Sequence, residues 1–249
     1  MTRPLLLVTG GGRGIGAATC RLAAARGFDV AVNYRTDSGA AEAVVRDCRA
    51  AGARAEAFAA DVAREAEVAR LFAAIDGRLG RLTHLVNNAG MVGRAGRLDA
   101  AEPATIRAVI DLNVTGALLV AREAVRRIST RHGGAGGAIV NISSGASTLG
   151  SPGDFVWYAA SKAAVDTLTI GLSKELAAEG VRVNAVAPGL ISTEIHATTG
   201  DPGREARLAP TVPIGRAGTA EEVAETILFL LSPAASYVTG AILRVAGGR

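Results

Sequence analysis

The sequence predicts an α/β fold: a doubly wound, parallel sheet of about seven strands with helices on both faces. Short apolar runs alternate with helical patterns along the sequence, which is typical of a parallel sheet with helical connections. The first run, Leu5–Val8, is continuously apolar, as expected for a strand buried on both faces. No linker, internal repeat or low-complexity segment interrupts the pattern, so residues 1–249 are predicted to form one domain.

Composition argues against several classes of protein. Hydrophobic residues make up 49% of the chain, but no apolar run approaches the roughly 18 residues of a membrane span. Leu5–Val8 is also too short for the core of a signal peptide, so the cytoplasm is the default location. The net charge is +4, and all but two of the 27 basic residues are scattered arginines. Neither nucleic acid nor a membrane is therefore expected as a partner. Cys20 and Cys48 lack the spacing of metal ligands, so no metal is expected.

The later elements follow in order along the chain. Predicted strands are Asp29 to Asn33, Arg54 to Ala60, His84 to Val86, Ala138 to Ile142, Val181 to Ala187 and Ile242 to Val245. Predicted helices are Ala17 to Arg26, Ser38 to Ala51, Arg64 to Arg78, Glu102 to Arg127, the segment around Tyr158, and Ala220 to Leu231. His84 is expected to face solvent. A segment without clear periodicity, around residues 190–212, is predicted to be a mobile substrate lid.

A glycine-rich turn joins the first strand to the first helix. Its sequence, Thr9-Gly10-Gly11-Gly12-Arg13-Gly14-Ile15-Gly16, lets the backbone approach a ligand closely, and the following helix offers free N–H groups. A flexible turn would have the same composition. The position between a strand and a helix favours a pyrophosphate site of the Rossmann type.

The end of the second strand bears on the choice of nucleotide. An acidic residue there would hold a ribose 2′-hydroxyl, but the sequence reads Asn33-Tyr34-Arg35, and Asp37 follows too late. Arg35, with Arg13, suits a 2′-phosphate, so NADP(H) is predicted over NAD(H). The alternative is that Arg35 is simply exposed. Asp61 ends the third strand, where it could meet an adenine amino group, cap the next helix, or do both.

Polar residues also follow the fourth and fifth strands. Asn87-Asn88-Ala89-Gly90 fits either a ligand site or turn chemistry alone. Ser143 and Ser144 lie at a carboxyl end of the sheet, where ligands bind. Asn113 is predicted to lie in mid-helix, where asparagine is disfavoured, and Gly116 follows shortly after. This pairing predicts a local distortion with a functional cause.

Tyr158 and Lys162 lie four positions apart in the sequence, so a helix places them on one face. A nearby ammonium favours the phenolate and lowers the pKa of a tyrosine. The pair is therefore a candidate general acid/base and its electrostatic partner. On their own, the two residues would more often be a surface tyrosine and a solvated lysine of an ordinary helix.

Taken together, these motifs resemble the short-chain dehydrogenase/reductase family over nearly the full length of the chain. The matching residues, in the order of the family, are Thr9-Gly10 with Gly14-Ile15-Gly16, Asp61, Asn87-Asn88-Ala89-Gly90, Asn113, Ser143-Ser144, Tyr158 with Lys162, and Pro188-Gly189 with Thr193. Each motif is weak alone, but the set is specific. The resemblance implies a Rossmann-type domain and a small-molecule oxidoreductase.

The resemblance also implies roles for individual residues. Tyr158 exchanges a proton with the substrate oxygen, Ser144 polarises the carbonyl, and Lys162 both tunes Tyr158 and binds the nicotinamide ribose. Asn113 supports a water chain that leads to Lys162. The implied cofactor-binding residues are Gly10, Gly12, Arg13, Gly14, Ile15, Gly16, Asn33, Tyr34, Arg35, Asp61, Val62, Asn88, Ala89, Gly90, Tyr158, Lys162, Pro188, Gly189, Ile191 and Thr193.

The substrate is much less constrained. Candidate pocket residues are Val92, Arg94, Leu149, Phe155, Trp157, Leu190 and His196, and most of them are apolar. They favour a small carbonyl or alcohol compound. Glucose 1-dehydrogenase-like sugar oxidation and 3-oxoacyl-thioester reduction are the enzymatic alternatives, and a catalytically silent nucleotide-binding regulator is the non-enzymatic one. The family resemblance further implies a homotetramer.

Overall fold

The computed structural model describes residues 3–194, 200–201 and 203–249. Within these ranges, seven parallel strands form one sheet in the order β3-β2-β1-β4-β5-β6-β7. The strands are β1 (Leu5–Val8), β2 (Asp29–Tyr34), β3 (Ala55–Ala59), β4 (His84–Asn87), β5 (Gly137–Ile142), β6 (Val181–Pro188) and β7 (Ile242–Val245). The predicted fold class is thus confirmed.

Helices cover both faces of this sheet, as the alternating pattern predicts. They are α1 (Gly14–Ala25), α2 (Ser38–Ala50), α3 (Glu65–Arg78), α4 (Pro103–Ile110), α5 (Ala117–Ile128), α6 (Ala146–Leu149), α7 (Val156–Leu176), α8 (Arg204–Leu208) and α9 (Ala220–Leu231). Most predicted boundaries are correct to within two or three residues. Helix α1 begins at Gly14, three residues before its predicted start and inside the glycine-rich turn.

Side-chain alternation along β1 explains how one strand serves two cores. Leu6 and Val8 pack with residues of α1, α2 and α9 on one face. Leu5 and Leu7 pack with residues of α3 and α5 on the other face. Successive strand residues point to opposite faces of a sheet, so a continuously apolar strand is the form that a two-sided core requires.

The sheet reverses its strand order beside β1. This strand pairs with β2 on one side and with β4 on the other. In open α/β sheets, ligands bind at such a switch point, outside the carboxyl ends of the strands. The candidate site lies there.

His84 departs from its prediction. It begins β4 as predicted, but it is half-buried instead of facing solvent, with its ring packed edge-on against Phe28 at a centroid distance of 5.1 Å. Its Nδ1 lies 2.8 Å from the Thr83 hydroxyl. Burial, with a smaller contribution from the nearby Arg182 charge, lowers the pKa of His84 to about 4.

The segment Pro103–Ile128 is long and apolar enough to cross a membrane by length and composition alone. In the fold it consists of α4, a π-helical turn and α5, and α5 packs against α3 and β4. Part of this segment, including Leu118, is exposed. Among the described residues, no group of three or more His, Cys, Asp and Glu side chains could hold a metal ion.

Candidate active site

The glycine-rich turn adopts the backbone conformations that its glycines permit. Gly10 and Gly14 have φ angles of 62° and 49°, in the left-handed region that other residues rarely adopt. Gly16 does not line the nucleotide cleft itself. A Cβ atom there would lie 2.3 Å from the carbonyl oxygen of Gly10. Gly16 therefore allows α1 to pack closely on the turn.

Hydrogen bonds lock the ends of β1 and β4 together. The buried Thr9 hydroxyl accepts from the backbone N–H groups of Asn88 and Ala89, at 2.9 and 3.0 Å. The Asn88 amide donates to the carbonyl oxygens of Thr9 and Gly10, at 2.8 and 3.2 Å. The polar turn after β4 thus shapes the switch point as well as lining it.

A long cleft runs over the turn and the ends of β2 and β3. The predicted cofactor residues that line it are Gly10, Gly12, Arg13, Gly14, Ile15, Asn33, Tyr34, Arg35, Asp61, Val62, Asn88, Ala89, Gly90 and Thr193. Asn33 is buried, and its amide bonds to Gly10 N, Phe58 O and Ala60 O, which ties the turn to β2 and β3.

The charged residues at the end of β2 divide between two tasks. Arg35 and Arg13 both line the cleft, and Arg35 is exposed. Asp37 caps α2, because its carboxylate accepts from the Ala40 N–H group at 2.9 Å. Asp37 therefore lines the cleft together with the two arginines, but its carboxylate is engaged with a helix terminus.

Asp61 does not cap α3, although capping was one of its two predicted roles. The residue that precedes α3 is Arg64, whose side chain makes no capping bond. Asp61 instead accepts from the N–H group of Ala63 at 3.1 Å, and Glu67 accepts from the N–H group of Asp61. Asp61 lies between the end of β3 at Ala59 and the start of α3 at Glu65, and it lines the cleft.

A second cleft opens at the ends of β5 and β6 and has a volume of about 180 Å³. Ser144, Tyr158 and Lys162, brought together from β5 and α7, line it. So do three predicted cofactor residues that do not line the first cleft, Pro188, Gly189 and Ile191. The residues Ile15, Asn88, Gly90 and Thr193 line both clefts, which are therefore continuous.

The electrostatics of Tyr158 differ from the prediction. Burial raises the pKa of Tyr158, and hydrogen bonding with Ser144 opposes this effect only in part. Lys162 does not contribute to this shift, although its ammonium lies 5.7 Å from the centre of the Tyr158 ring. The phenol is consequently protonated at neutral pH.

Lys162 is buried, and its Nζ donates to the carbonyl oxygen of Ile142 at 2.7 Å. Burial lowers the pKa of Lys162 to about 8, against the opposing charge of Asp166 one helical turn away. Nζ also lies on the same side of Gly90 as Asn113 Oδ1. A Cβ atom on Gly90 would come within 3.4 and 3.3 Å of these two atoms.

The two serines after β5 have separate environments. Ser143 is buried, and its hydroxyl donates to the carbonyl oxygen of Lys162 at 3.4 Å. The Ser144 hydroxyl accepts from the N–H group of Ala146 and interacts with Tyr158. This arrangement agrees with the choice of Ser144 over Ser143.

Asn113 lies in a π-helical turn, Asp111–Gly116, that interrupts the long helix where a distortion was predicted. Its amide accepts from Met91 N and donates to Met91 O, both at 2.9 Å, and donates to Ser161 at 3.0 Å. Asn113 therefore joins the helix to α7 and to the segment after Gly90. Such π turns occur often at functional sites.

The predicted substrate residues are only partly confirmed as cleft residues. Val92, Leu149, Phe155 and Leu190 line the second cleft. Trp157 does not line this cleft. It is buried in a small apolar cluster, and its indole N–H donates to Val92 O at 2.9 Å. Arg94 is exposed outside both clefts, and His196 lies outside the described residues.

Sequence reasoning missed two arginines of the second cleft, Arg204 and Arg249. Neither belongs to a motif, and both lie among many similar arginines. No pattern in the sequence distinguishes them from the solvated ones.

Known proteins share this fold and this motif set. A family model described as enoyl-(acyl carrier protein) reductase matches residues 10–249. Chains with 51% and 43% identity are an uncharacterised oxidoreductase, YgfF, of Escherichia coli K12 and a 3-oxoacyl-[acyl-carrier-protein] reductase of Synechocystis. The alignments cover 98% and 100% of this chain, and 99% and 97% of those relatives.

Solved structures agree with these sequence relatives. A short-chain dehydrogenase of Burkholderia cenocepacia in complex with NADP has a TM-score of 0.90 at 35% identity, over 99% of this chain and 97% of that one. A 3-ketoacyl-(acyl-carrier-protein) reductase of Brucella melitensis complexed with NADH has a TM-score of 0.91 at 31% identity, over 99% and 98%. The fold and site define a nicotinamide-dependent oxidoreductase. The chain belongs to the short-chain dehydrogenase/reductase family.

Proposed function

We propose that this chain is an NADP(H)-dependent oxidoreductase that transfers a hydride between the nicotinamide and a small carbonyl or alcohol substrate. One observation carries the proposal: Ser144, Tyr158 and Lys162 converge in a cleft that continues into the nucleotide cleft. The space of about 180 Å³ suits a small compound.

The residues present fit a dinucleotide. Gly10 and Gly14 give the backbone the shape and N–H access that a pyrophosphate needs. Asp61 and Val62 lie where an adenine would bind, and Thr193 with the backbone of Ile191 would hold the carboxamide. The nicotinamide supplies or accepts the hydride.

Three side chains handle the substrate oxygen. Tyr158, whose phenol is protonated at neutral pH, donates its proton to the oxygen as negative charge develops. Ser144 donates a hydrogen bond to the same oxygen. Lys162 places a buried positive charge beside Tyr158 and holds the nicotinamide ribose.

Arg35 and Arg13 support NADP(H) as the preferred cofactor, since both line the cleft and Asp37 is engaged in capping. Replacing Arg35 by Ala is expected to lower kcat/KM with NADPH by at least about tenfold and to leave NADH little changed. Arg46→Ala, an exposed site on α2 away from the cleft, is the control. An unaltered NADPH/NADH ratio in the Arg35 variant would refute the cofactor assignment.

Reduction of a carrier-bound 3-oxoacyl thioester is less well supported. An acidic carrier protein would need basic residues for docking, but Arg126, Arg127 and Arg131 all form ion pairs with carboxylates of this chain. Arg131 pairs with Glu179, which precedes Gly180 after α7. Sugar oxidation remains the other enzymatic alternative.

A panel of ketones, aldehydes, an acetoacetyl thioester and glucose, assayed with both cofactors, tests the proposal. We expect NADPH oxidation with a small carbonyl compound. Turnover confined to glucose would indicate sugar oxidation, and turnover confined to the thioester would indicate 3-oxoacyl-thioester reduction. Cofactor binding without turnover of any panel member would favour a catalytically silent regulator.

We also propose a homotetramer, with no nucleic-acid or membrane partner and a cytoplasmic location. Two apolar surfaces support the assembly. Leu118 and Ile170 are exposed on α5 and α7, and Ile242 and Leu243 are exposed on the edge strand β7. An apolar edge strand is normally covered.

A further inference from the structure

Several cationic side chains line the substrate cleft. The described residues that line it include three with cationic side chains, Lys162, Arg204 and Arg249. No described lining residue has a side-chain carboxylate. Lys162 belongs to the proposed proton-transfer machinery. Arg204 does not, although it is only 8% exposed. A buried cation beside the reacting groups therefore needs another explanation.

Two contacts fix the position of Arg204. Its Nη2 donates to Asp154 Oδ2 at 2.8 Å, and its guanidinium carbon lies 4.7 Å from the centre of the Phe155 ring. Phe155 packs edge-on to Tyr158 with ring centres 5.7 Å apart. The two distances place the guanidinium carbon at most about 10 Å from the Tyr158 ring centre. A substrate whose carbonyl group contacts Tyr158 could therefore reach the cation with a group that is a few carbon atoms away from that carbonyl.

The hydrogen-bonding capacity of Arg204 is only partly used. A guanidinium has five N–H donors, and within the described part of the chain one bond, to Asp154, is made. None of its nitrogen atoms is among the fully buried atoms that lack a partner, and the residue itself lines the cleft. Stacking on a ring and pairing with one carboxylate pre-organise such a group for bidentate binding of another anion.

We propose that Arg204 determines specificity by binding a carboxylate of the substrate, which is therefore a small oxo acid or hydroxy acid. The carboxylate lies a few carbon atoms from the carbon that exchanges the hydride. This inference rests on the proposed function for the reacting end of the substrate, and it adds the chemical class of the other end.

A purely structural role for Arg204 makes different predictions. If the ion pair with Asp154 only fastened α8, the removal of either partner would have the same effect. If Arg204 binds the substrate, Asp154→Asn leaves the cation and removes its competing carboxylate. Carboxylate binding is then retained or strengthened in Asp154→Asn and lost in Arg204→Gln.

Calorimetric titration of the enzyme–NADPH complex tests this without turnover. The probes are cyclohexanecarboxylate and the uncharged cyclohexanecarboxamide. We expect the carboxylate to bind at least about tenfold more tightly, as one charge-assisted hydrogen bond would give. Arg204→Gln should abolish the difference, Arg204→Lys should restore part of it, and Asp154→Asn should keep it. Arg207→Gln, on the same helix but with its side chain 59% exposed, is the control and should bind as wild type does.

Equal binding of the two probes by the wild type, or equal losses in Arg204→Gln and Asp154→Asn, would overturn the proposal. Kinetics with 4-oxocyclohexanecarboxylate and 4-methylcyclohexanone separate it from the proposed function. We expect Arg204→Gln to raise KM for the oxo acid and to leave the uncharged ketone nearly unchanged. If neither ketone is reduced while carboxylate binding still depends on Arg204, the anion subsite stands and the proposed reaction fails.

Discussion

Gly90 lies between two polar atoms of the site, Lys162 Nζ and Asn113 Oδ1. A Cβ atom there would approach them to 3.4 and 3.3 Å, closer than ordinary van der Waals contact. Because both atoms belong to buried, hydrogen-bonded side chains, they can yield only by disturbing the site. The sequence places Gly90 in a motif, but it does not reveal this contact.

Gly90→Ala is expected to lower kcat by about tenfold, since displacements below 1 Å at reacting groups are costly, while the melting temperature changes little. The control is Gly77→Ala, in α3, where an added Cβ atom meets nothing within 4 Å. That variant should retain wild-type kcat and be slightly more stable. A Gly90→Ala enzyme with unchanged kcat would show that the position of Lys162 tolerates such shifts.

His84 illustrates a residue that sequence patterns misplace. The pattern locates it at a strand boundary, where either environment is possible, and only the packing of Phe28 decides between them. Its pKa of about 4 lies below the ordinary value of 6.5, so the folded state holds the neutral form. Stability is then complete above pH 6.5 and falls as the pH drops from 6.5 through 4.

The predicted loss attributable to His84 is up to about 3 kcal/mol in the free energy of unfolding over this range. Urea denaturation at several pH values measures it. His84→Gln should show a shallower decline than wild type, and His132→Gln, at an exposed site, should follow wild type. Parallel curves for all three proteins would contradict the buried, neutral state.

At the scale of elements, the π turn connects the long helix to the catalytic segment. The sequence predicts a distortion because an asparagine in mid-helix followed by glycine is unfavourable. It does not predict the partners of Asn113, which lie far away in sequence. Its amide bonds to the backbone of Met91 and to Ser161, so three elements depend on one side chain.

Asn113→Ala removes these bonds and leaves buried polar groups unpaired, which should cost about 2–4 kcal/mol in the free energy of unfolding. Activity should fall as well, because the segment after Gly90 loses its anchor. Thr115→Ala, at an exposed position of the same turn, should change stability by less than about 0.5 kcal/mol. Equal stability of the two variants would refute this role for Asn113.

For the whole molecule, strand and helix order could be predicted because each element carries its own period and its own boundary residues. The motifs could be placed because the carboxyl ends of parallel strands meet at one edge. Arg204 and the pKa shift of Tyr158 could not, because both depend on packing between distant segments. The proposed assembly would depend on exposed surfaces that the sequence pattern does not mark.

Light scattering tests the proposed assembly. We expect wild type to have the mass of four chains of 25.2 kDa each. Ile242→Lys combined with Leu243→Lys should yield a smaller species, since both residues are exposed on the edge strand. Exposed Arg244 lies on the same strand, and Arg244→Lys serves as the control. A monomeric wild type would rule out the tetramer.

The proton-transfer role of Tyr158 is the central claim, and Tyr158→Phe tests it most directly. NADPH oxidation with the best substrate of the panel is measured alongside NADPH affinity by fluorescence titration. The account predicts a loss of kcat of at least about 100-fold, as is typical of a general acid, with NADPH affinity within about threefold of wild type. Turnover by Tyr158→Phe at close to the wild-type rate would contradict it.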